Sequence, residues 1–411
     1  MLRQIKVIPR RKIKFYPNED LDILKAIFSP GFPAGSQISL FERVFSEYLG
    51  GGEAVATCSG RQALKLILES QDLREGDEIL FPAYTLFDLV KMIEEMKLKP
   101  VFADIDPKTF NMSPEAVAQK ITPKTRVIVA THIFGVPCRI QEICRLADAK
   151  GIMVVEDCAH ALGAESRGRK VGNFGKAAFF SFSMGKQINA FGGGMIYSPD
   201  KKIIGFCRSK IFSYIPGKIE TLASATTAYL ERIAVLPFFS KLLLGSRKHV
   251  EFFIEFYRKT KNKTRAWNKS LSPLQSMIGR KQLEGIGKDL EIREARARLY
   301  RDLLSGNFLF QEVAPGDISA NCYFVVRSKK KCPLGPLAQA LIKAGVDVGI
   351  CGEIMDHCPK ALGVSANDYP VTDMAEAGNL LLPFYSDLDE KEIRYIAATA
   401  NKMMESLSTP S

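Results

Sequence analysis

The sequence predicts an α/β domain followed by a smaller α+β domain. From about residue 37 to residue 200, short apolar or β-branched runs alternate with helical patterns. That alternation is typical of a sheet whose faces are covered by helices. At Ser272 a different rhythm begins, with a long helical pattern followed by alternating strands and helices. The composition, 46% hydrophobic and 25% charged, is that of a globular protein.

Seven strands are predicted in the first domain, and most are followed by a loop and a helical stretch such as 61–69 or 139–150. In such sheets, ligands bind beyond the carboxyl ends of the strands, so functional residues are expected in the loops that follow them. The predicted strands are 54–58, 78–81, 100–103, 126–130, 153–156, 177–182 and 194–197.

The C-terminal part predicts one helix over 272–304, a strand over 321–327, a helix over 336–344, a strand over 346–351 and a closing helix over 390–404. Four segments follow from these patterns. They are a basic N-terminal segment (1–36), a large domain (37–204), a helical, apolar and basic insertion (205–265), and a small C-terminal domain with its linking helix (266–411).

The net charge of +12 is concentrated in two places. Residues 1–14 contribute +6 and residues 241–265 contribute another +6, so the remaining 372 residues are formally neutral. The basic tracts have little aromatic interleaving, which argues against a nucleic-acid-binding protein.

The insertion is too charged for a membrane span, because its apolar stretch 221–244 contains Glu231, Arg232 and Lys241 as well as Pro237. Apolar residues beside a basic tract are also typical of a helix that lies on anionic lipid. We therefore consider two interpretations: a peripheral membrane contact through 221–263, at the inner membrane face, or a helical insertion that packs on a dimer partner or covers the active site.

Nine cysteines stand at irregular spacings, with no Cys-x-x-Cys pair. This pattern argues against a disulfide framework and a structural zinc site, so no metal is expected. The basic N-terminus continues into Asn18, Glu19 and Asp20 instead of the apolar core of a signal peptide. A reducing cytoplasm is the expected location.

Two residues, Asp157 and Lys186, carry the strongest chemical signal. Asp157 follows an apolar strand, where a carboxylate is costly unless it meets a cation or a protonated ring nitrogen. Lys186 lies 29 residues later in a loop between apolar and Gly-rich segments, where a lysine can have a depressed pKa and form a Schiff base. Taken singly, a helix-capping Asp and a solvated surface Lys are the more common interpretations.

The combination of motifs resembles the core of fold-type I pyridoxal-phosphate enzymes and, more narrowly, the DegT/StrS-type sugar aminotransferase family. A strand ending in Glu-Asp, a strand followed by Ser181-x-x-x-x-Lys186, and the 192–194 glycine turn occur in the family's order. Further matching motifs lie at 41–50, 58–64, 76–85, 100–106, 121–126, 132–135, 271–275 and 282–284. The resemblance implies a large domain with a mixed, mostly parallel sheet, a smaller α+β domain, and pyridoxal 5'-phosphate as the cofactor.

The resemblance also implies roles for the matched residues. Lys186 would carry the cofactor as an internal aldimine and then act as the general base. Asp157 would keep the pyridine nitrogen protonated. Ser181 would donate a hydrogen bond from its hydroxyl to the phosphate. The backbone N–H groups of Gly60, Arg61 and Gln62 would also donate to the phosphate.

Two more positions are implied with open alternatives. His160 would lie near the phenolic oxygen of the cofactor ring, or it is an ordinary buried histidine. Asn268 matches a family residue that reaches the phosphate from the neighbouring subunit, which implies a homodimer with shared active sites; alternatively it is a turn residue.

Several departures from the family pattern fall on the substrate side. Arg61 replaces the usual Thr, and its side chain would contact the phosphate or face outward. Leu86 aligns with the aromatic that stacks on the cofactor ring, so either Tyr84 or Phe87 supplies the stacking or the stacking is weaker. Ser270 replaces an Arg. Residues 351–353 replace a common His-Tyr-Pro and leave His357 as the nearest histidine.

The implied function is an aminotransferase that moves an amino group from an amino acid, expected to be glutamate or glutamine, to a keto sugar carried by a nucleotide, in two ping-pong half reactions. Amino-sugar supply for polysaccharide biosynthesis is the implied setting. Two rivals are a pyridoxal-phosphate-dependent sugar dehydratase, in which histidine replaces the lysine, and a catalytically idle regulatory or membrane-associated scaffold. Lys186 argues against the first, and the retained Lys186, Asp157 and Ser181 argue against the second.

Overall fold

The structure is a computed structural model. It describes residues 7–12, 16–28, 36–183, 185–211, 226, 269–304, 306–329, 334–350, 352 and 354–406. The insertion from 212 to 268, apart from position 226, lies outside the described residues, and so do the predictions made for it. Within the described ranges, no helix combines the length and the apolar character needed to cross a bilayer.

A seven-stranded mixed sheet forms the centre of the large domain. Its order is β1-β10-β9-β6-β5-β2-β4. The last five strands of this order are parallel, and β10 is antiparallel to its two neighbours, β9 and β1. All seven predicted strands are confirmed. The strands are β1 (Glu53–Thr57), β2 (Glu78–Pro82), β3 (Tyr84–Thr85), β4 (Lys99–Ala103), β5 (Thr125–Thr131), β6 (Met153–Asp157), β7 (Glu165–Ser166), β8 (Arg169–Lys170), β9 (Ala177–Ser181) and β10 (Gly194–Ser198).

Helices cover both faces of this sheet and bury apolar residues against it. Burial of β2, β9 and β10 along nearly their whole length explains their continuous apolar sequences. The helices of this part are α1 (Glu19–Phe28), α2 (Ser36–Leu49), α3 (Gly60–Glu69), α4 (Phe87–Glu95), α5 (Pro114–Lys120), α6 (Ile140–Asp148) and α7 (Lys201–Ile211).

The C-terminal domain contains a four-stranded antiparallel sheet in the order β11-β12-β15-β13, with long helices packed on one face. Its strands are β11 (Phe308–Phe310), β12 (Phe324–Ser328), β13 (Gly349–Ile350), β14 (Asp356–His357) and β15 (Asn379–Leu382). Its helices are α8 (Pro273–Glu284), α9 (Ile286–Leu304), α10 (Leu334–Lys343), α11 (Cys358–Ala361), α12 (Pro370–Gly378) and α13 (Glu390–Ser406). This architecture confirms the predicted fold class.

Two predicted elements of this domain differ in the structure. The helix expected over 272–304 is two helices, because α8 ends at Glu284 with Gly285 as its C-cap and α9 begins at Ile286. The strand expected over 346–351 is reduced to β13, since Val346 is used in an isolated bridge to Ile8.

Two predicted segment boundaries also need correction. Helix α7 runs through the boundary at 204, and Ile203 and Ile211 are buried in the core of the large domain, which therefore extends to 211. The N-terminal segment is not separate either. Residues 7–12 pair with the C-terminal domain, and α1 packs beside α8 through the Lys281–Asp22 ion pair.

Candidate active site

The candidate active site lies where the carboxyl ends of β6 and β9 meet the N-terminus of α3. An isolated bridge between Ser59 and Gly193 joins the start of α3 to the glycine turn before β10. Consequently Asp157, Ser181 and the lysine loop, three sequence motifs that are distant in the chain, share one edge of the sheet. This is the edge at which ligands bind in α/β proteins.

Asp157 ends β6 and is buried, with 6% of its surface exposed. Its Oδ1 accepts a hydrogen bond of 3.0 Å from the backbone N–H of Ala159. Burial raises the pKa of the Asp157 carboxyl, while the Ala159 bond and the charge of Lys186 oppose that rise. A positive charge beside a buried carboxylate offsets the cost of burying it. Asp157 therefore suits a protonated ring nitrogen.

Lys186 stands in a turn three residues after Ser183, whose carbonyl accepts the Lys186 backbone N–H at 3.2 Å. Its charge lowers the pKa values of both Asp157 and His160, so its ammonium group lies near both side chains. The structure therefore brings together the three residues that the sequence predicted at this centre.

Two glutamines of α8 hold the loop that follows Lys186. Gln282 accepts the Asn189 N–H at 2.7 Å through its Oε1 and donates from its Nε2 to the Asn189 carbonyl at 3.0 Å. Gln275 donates to the Ala190 carbonyl at 3.0 Å and also completes a capping box with Ser272 at the start of α8. The loop position thus depends on side chains almost a hundred residues away in sequence.

A small polar cup lies between Ser181 and the start of α3. The Ser181 and Ser183 hydroxyl oxygens are 3.1 Å apart. A Cβ at Gly60 would lie 3.3 Å from the Phe180 carbonyl oxygen, which is a tight contact, so glycine favours the close approach of the helix start to β9. The first N–H groups of a helix have no acceptor within the helix and attract anions. The cup therefore suits a phosphate group.

Gln62 has a different role from the predicted one. Its backbone N–H donates to the Ser59 hydroxyl at 3.1 Å, which is the helix N-cap, and its side-chain oxygen accepts the Cys58 N–H at 2.8 Å. Its N–H group is therefore already used, and the N–H groups of Gly60 and Arg61 are the ones left to serve an anion.

The Arg61 side chain forms an ion pair with Asp88 in the first turn of α4. The guanidinium is mostly buried, with 18% of the side chain exposed. The sequence offered two interpretations of the Arg61 side chain: a contact with the phosphate, or a cation that faces outward. The structure shows neither of them. The charge of Arg61 is balanced by a carboxylate that ties α3 to α4.

His160 forms part of an aromatic wall with Phe134 and Tyr323. Its ring stacks on Phe134 with centroids 6.0 Å apart and meets the Tyr323 ring edge-on at 5.1 Å. Burial and the charge of Lys186 lower the pKa of His160 well below its usual value, so the ring is neutral. Its Nδ1 faces the Phe134 N–H at 3.3 Å, which assigns the hydrogen to Nε2 and makes that atom a donor.

The structure separates the candidates for stacking on a cofactor ring. Tyr84 is fully buried and packs edge-on against Phe134, so its ring has no open face. Phe87 is half-buried, and the Lys91 ammonium lies 4.9 Å from its ring centre. Leu86 is the open apolar side chain, 37% exposed. The expectation that Tyr84 supplies the stacking is therefore corrected, since an already enclosed ring cannot take a ligand on its face.

Other predicted site residues fall elsewhere. His357 is buried in β14, where its Nδ1 accepts the Lys360 N–H at 3.3 Å and its ring meets Tyr369. It is thus a helix-capping residue. Ser270 is buried beside the start of α8. Asn268, Cys351 and Glu353 lie outside the described residues.

His132, Glu156 and Cys158 are close enough to hold a metal ion, but their hydrogen bonds indicate a structural network. Glu156 is fully buried and receives the His132 Nε2–H at 3.1 Å. It also accepts three backbone N–H groups at 2.7 Å, from Gly172, Phe174 and Gly175. These bonds fix the loop that leads into β9 and leave no carboxylate oxygen unoccupied.

The cleft fits pyridoxal phosphate. It offers an anion cup for the phosphate, a buried carboxylate for the ring nitrogen and a lysine near that carboxylate for the aldehyde carbon. We call Gly60, Arg61, Asp157, Ser181 and Lys186 the cofactor wall of this cleft.

Comparison with known proteins then decides the family. The model of the DegT/DnrJ/EryC1/StrS aminotransferase family matches residues 18–401. The chain belongs to this family. Pyridoxal phosphate is the cofactor of the family's aminotransferases, as the resemblance implied.

Individual relatives agree with this assignment. The chain is 37% identical over 185 residues to GDP-perosamine synthase of Vibrio cholerae, an alignment that covers 45% of this chain and 50% of the relative. It is 33% identical over 180 residues to UDP-N-acetyl-3-dehydro-alpha-D-glucosamine 3-aminotransferase of Acidithiobacillus ferrooxidans, covering 44% and 49%. The chain thus spans about half the length of the curated relatives it matches.

A solved structure shows the same fold over the whole chain. It is the PLP form of Spr1654, a proposed sugar aminotransferase of Streptococcus pneumoniae. The TM-score is 0.75 at 22% sequence identity, and the match covers 98% of this chain and 99% of that one.

Sequence reasoning missed several residues of this family member's cleft. Ser183 could have been noticed as a second hydroxyl two positions after Ser181. Tyr323 gives no local signal, because it reaches the cleft only through the packing of the C-terminal domain on the large domain. Gln275 and Gln282 lie within segments that match family motifs, but no local pattern predicts the clamp that their two amides form.

Proposed function

We propose that this family member is a pyridoxal-phosphate-dependent aminotransferase that moves an amino group from an amino acid, L-glutamate, to a keto sugar linked to a nucleotide. The observation that carries the proposal is the meeting of Lys186, Asp157 and neutral His160 in one buried cleft beside an anion cup. An idle scaffold would have no need of this arrangement.

Each residue has a task that its surroundings support. When bound, pyridoxal phosphate would supply an electron-withdrawing ring that stabilises negative charge on the carbon next to the amino nitrogen. Asp157 keeps a proton on the ring nitrogen, since a cation there relieves the cost of a buried carboxylate. Lys186, in its neutral amine form, would move the proton between the substrate carbon and the C4′ carbon of the cofactor. His160 offers its Nε2–H to an oxygen on the ring.

The nucleotide-linked acceptor is supported by the relatives. Both are named for products or substrates with a nucleotide on the sugar, one with GDP and one with UDP. Transfer between two different substrates through one cleft requires that each substrate leave before the other binds, which gives ping-pong kinetics. We infer a role in amino-sugar supply for polysaccharide biosynthesis.

The setting of the enzyme belongs to the same proposal. Seven described cysteines are free thiols, in keeping with a reducing cytoplasm.

A homodimer with Asn268 reaching the partner's cleft, and a peripheral membrane contact through 221–263, remain hypotheses from the sequence. Sedimentation velocity tests the dimer. Liposome co-sedimentation of the full chain against a deletion of 221–263 tests the contact, and equal sedimentation of the two would exclude it.

The function is tested by following both half reactions in the purified protein. Reconstitution with pyridoxal phosphate should turn the protein yellow, L-glutamate should bleach the colour with release of 2-oxoglutarate, and a keto-sugar nucleotide should restore it. A panel of UDP-, GDP- and dTDP-linked keto sugars then identifies the acceptor. A protein that stays colourless, or one that takes up the cofactor but ignores every amino acid offered, contradicts the proposal and favours a scaffold.

A further inference from the structure

A short segment of the C-terminal domain, residues 319–323, runs against the large domain before it enters β12. The Ala320 N–H donates to the Gly135 carbonyl at 2.9 Å, and the Cys322 N–H donates to the Phe134 carbonyl at 3.0 Å. A Cβ at Gly135 would lie 2.9 Å from the backbone nitrogen of Cys322, so a side chain there would push the two chains apart. The segment is therefore held close to the large domain by its backbone.

The direction of this segment is fixed from helix α9. Asn321 has a φ of 45°, a left-handed conformation that Asn adopts more readily than most residues. The buried Arg293 donates to the Asn321 carbonyl at 3.2 Å, and the Asn321 side chain donates to Glu294 at 2.9 Å. Cys322 and Tyr323, which follow directly, are therefore presented to the large domain in a defined orientation.

Cys322 and Tyr323 both contact Gly185, the residue before Lys186. The Cys322 thiol donates to the Gly185 carbonyl at 3.6 Å. The Tyr323 Oη lies 3.3 Å from the position that a Cβ on Gly185 would occupy. The C-terminal domain thus borders the turn just before Lys186, whereas the two glutamines of α8 hold the loop after it.

Tyr323 also contacts His160, and His160 is in turn bonded to the lysine turn. The Tyr323 and His160 rings meet edge-on, with centroids 5.1 Å apart. The Gln187 side chain, directly after Lys186, donates to the His160 carbonyl at 2.6 Å. Tyr323, His160 and the turn that carries Lys186 therefore form three mutual contacts, so a shift of one disturbs the other two.

The ring of Tyr323, rather than its hydroxyl, makes the contact with His160. Within the residues that the structure describes, the hydroxyl takes part in no hydrogen bond. Burial raises the pKa of the phenol, so the side chain is neutral and adds no charge beside Lys186. The part of Tyr323 that matters should accordingly be retained by phenylalanine.

We propose that Tyr323, together with Cys322, is a positioning residue for the reaction, which holds the His160 ring and the Lys186 turn in place from the C-terminal domain. This inference rests on the proposed function. Proton transfer requires the amine of a general base within hydrogen-bond reach of the carbon, and a misplacement of about 1 Å can slow such a step by about 10²-fold. The C-terminal domain would then set the geometry of catalytic residues that belong to the large domain.

The first test follows the Lys186 turn in the apoprotein, by hydrogen–deuterium exchange of the peptide that carries Lys186. Exchange should be about tenfold faster or more in Tyr323→Leu and within about twofold of wild type in Tyr323→Phe. Cys322→Ala is a milder second variant and should accelerate exchange about threefold, with recovery in Cys322→Ser. The control is Tyr395→Leu, because Tyr395 is exposed on α13 of the same domain and bonds the Ala344 carbonyl.

The second test uses the pyridoxal-phosphate-loaded protein. Visible circular dichroism reports how firmly the cofactor ring is held, and the band should shrink in Tyr323→Leu but not in Tyr323→Phe or Tyr395→Leu. Bleaching by L-glutamate, followed by rapid mixing, should have a kcat about tenfold lower in Tyr323→Leu with KM within about threefold. A role in substrate binding would instead raise KM.

Three outcomes overturn the inference. The first is unchanged exchange of the Lys186 peptide in both Tyr323→Leu and Cys322→Ala, and the second is an equal acceleration in Tyr395→Leu. In the third, Tyr323→Phe loses as much as Tyr323→Leu, which would assign the role to the hydroxyl. The proposed function fails by different signs, namely a wild-type protein without cofactor colour or without bleaching by L-glutamate, and exchange in the apoprotein depends on neither.

Discussion

The cofactor wall and the contact of the N-terminal segment with the C-terminal domain are built in different ways. The cofactor wall comes from the strand ends and the helix start of one domain; Asp157 is buried and accepts a backbone N–H, while Ser181 and Lys186 are half-buried. The N-terminal segment lies beside β13, and its Arg10 N–H reaches Asp347 across 337 positions of the chain. The first region therefore follows local sequence signals, whereas the second exists only through tertiary contacts.

The difference also bears on the charge of the protein. The sequence marks residues 1–14 as one of two basic tracts. In the structure, part of this tract packs on the protein's own C-terminal domain. The Arg10 part of the N-terminal charge is therefore held against the fold.

The largest effect should come from the cofactor wall. Asp157→Asn removes the carboxylate that holds the ring proton, and kcat/KM for L-glutamate should fall by about 10²- to 10³-fold. Asp157→Glu keeps the charge and should recover part of the loss. Rapid-mixing measurement of the bleaching step checks both variants. A kcat/KM for L-glutamate in Asp157→Asn within threefold of the wild-type value would show that the Asp157 carboxylate does not hold the ring proton.

A smaller effect is expected behind the wall, at the clamp on the lysine loop. Gln282→Leu leaves the Asn189 N–H and carbonyl without their partner, at a cost of about 1–3 kcal/mol. We expect a several-fold fall in kcat with little change in KM, because the loop that positions Lys186 becomes looser. Glu284→Gln, on the exposed side of the same helix, is the control and should leave both constants unchanged.

The aromatic wall makes a prediction about pH and stability. Burial and the Lys186 charge lower the pKa of His160 well below its unfolded value of about 6.5, so the folded protein does not take up this proton while the unfolded chain does. Stability is therefore lost as the pH falls below about 6.5. Between pH 6.5 and 5, wild type should lose about 2 kcal/mol more of its free energy of unfolding than His160→Asn. Urea unfolding of both apoproteins measures this, and parallel pH profiles would refute it.

The smallest effect should come from the ion pair of Arg61 and Asp88, which spans α3 and α4. A double-mutant cycle with Arg61→Gln and Asp88→Asn should give a coupling energy of about 1 kcal/mol or less, because the pair is partly exposed. Pyridoxal-phosphate affinity should change less than about threefold in Arg61→Gln, since the backbone N–H remains. A tenfold loss would mean that Arg61 leaves Asp88 to bind the phosphate.

Predictability from sequence follows the same division. The strands of the large domain are predictable because each is a short buried run with its own apolar signal, and Asp157, Ser181 and Lys186 follow such runs directly. Strand β15 is missed because it has only four residues, too few for a periodic pattern, and follows helix α12 directly. Arg10 reaches Asp347 across 337 positions, and no local pattern encodes such a contact.

Tyr84 shows a related difficulty. Tyr84 lies two residues before Leu86, the position of the family's stacking residue, and is therefore a reasonable candidate from sequence. The orientation of its ring, however, is set by the pairing of β3 with β14, where Tyr84 lies opposite His357. That pairing turns the ring into the core between the domains. Burial of a single side chain therefore could not be inferred without the tertiary contacts.

The most direct test of the cofactor wall is borohydride reduction of the yellow, pyridoxal-phosphate-loaded protein, followed by peptide mapping. The account predicts one stably modified peptide, with the label on Lys186, and no label in the Lys186→Arg variant. A label on a different lysine, or an unmodified wild-type protein, would contradict it.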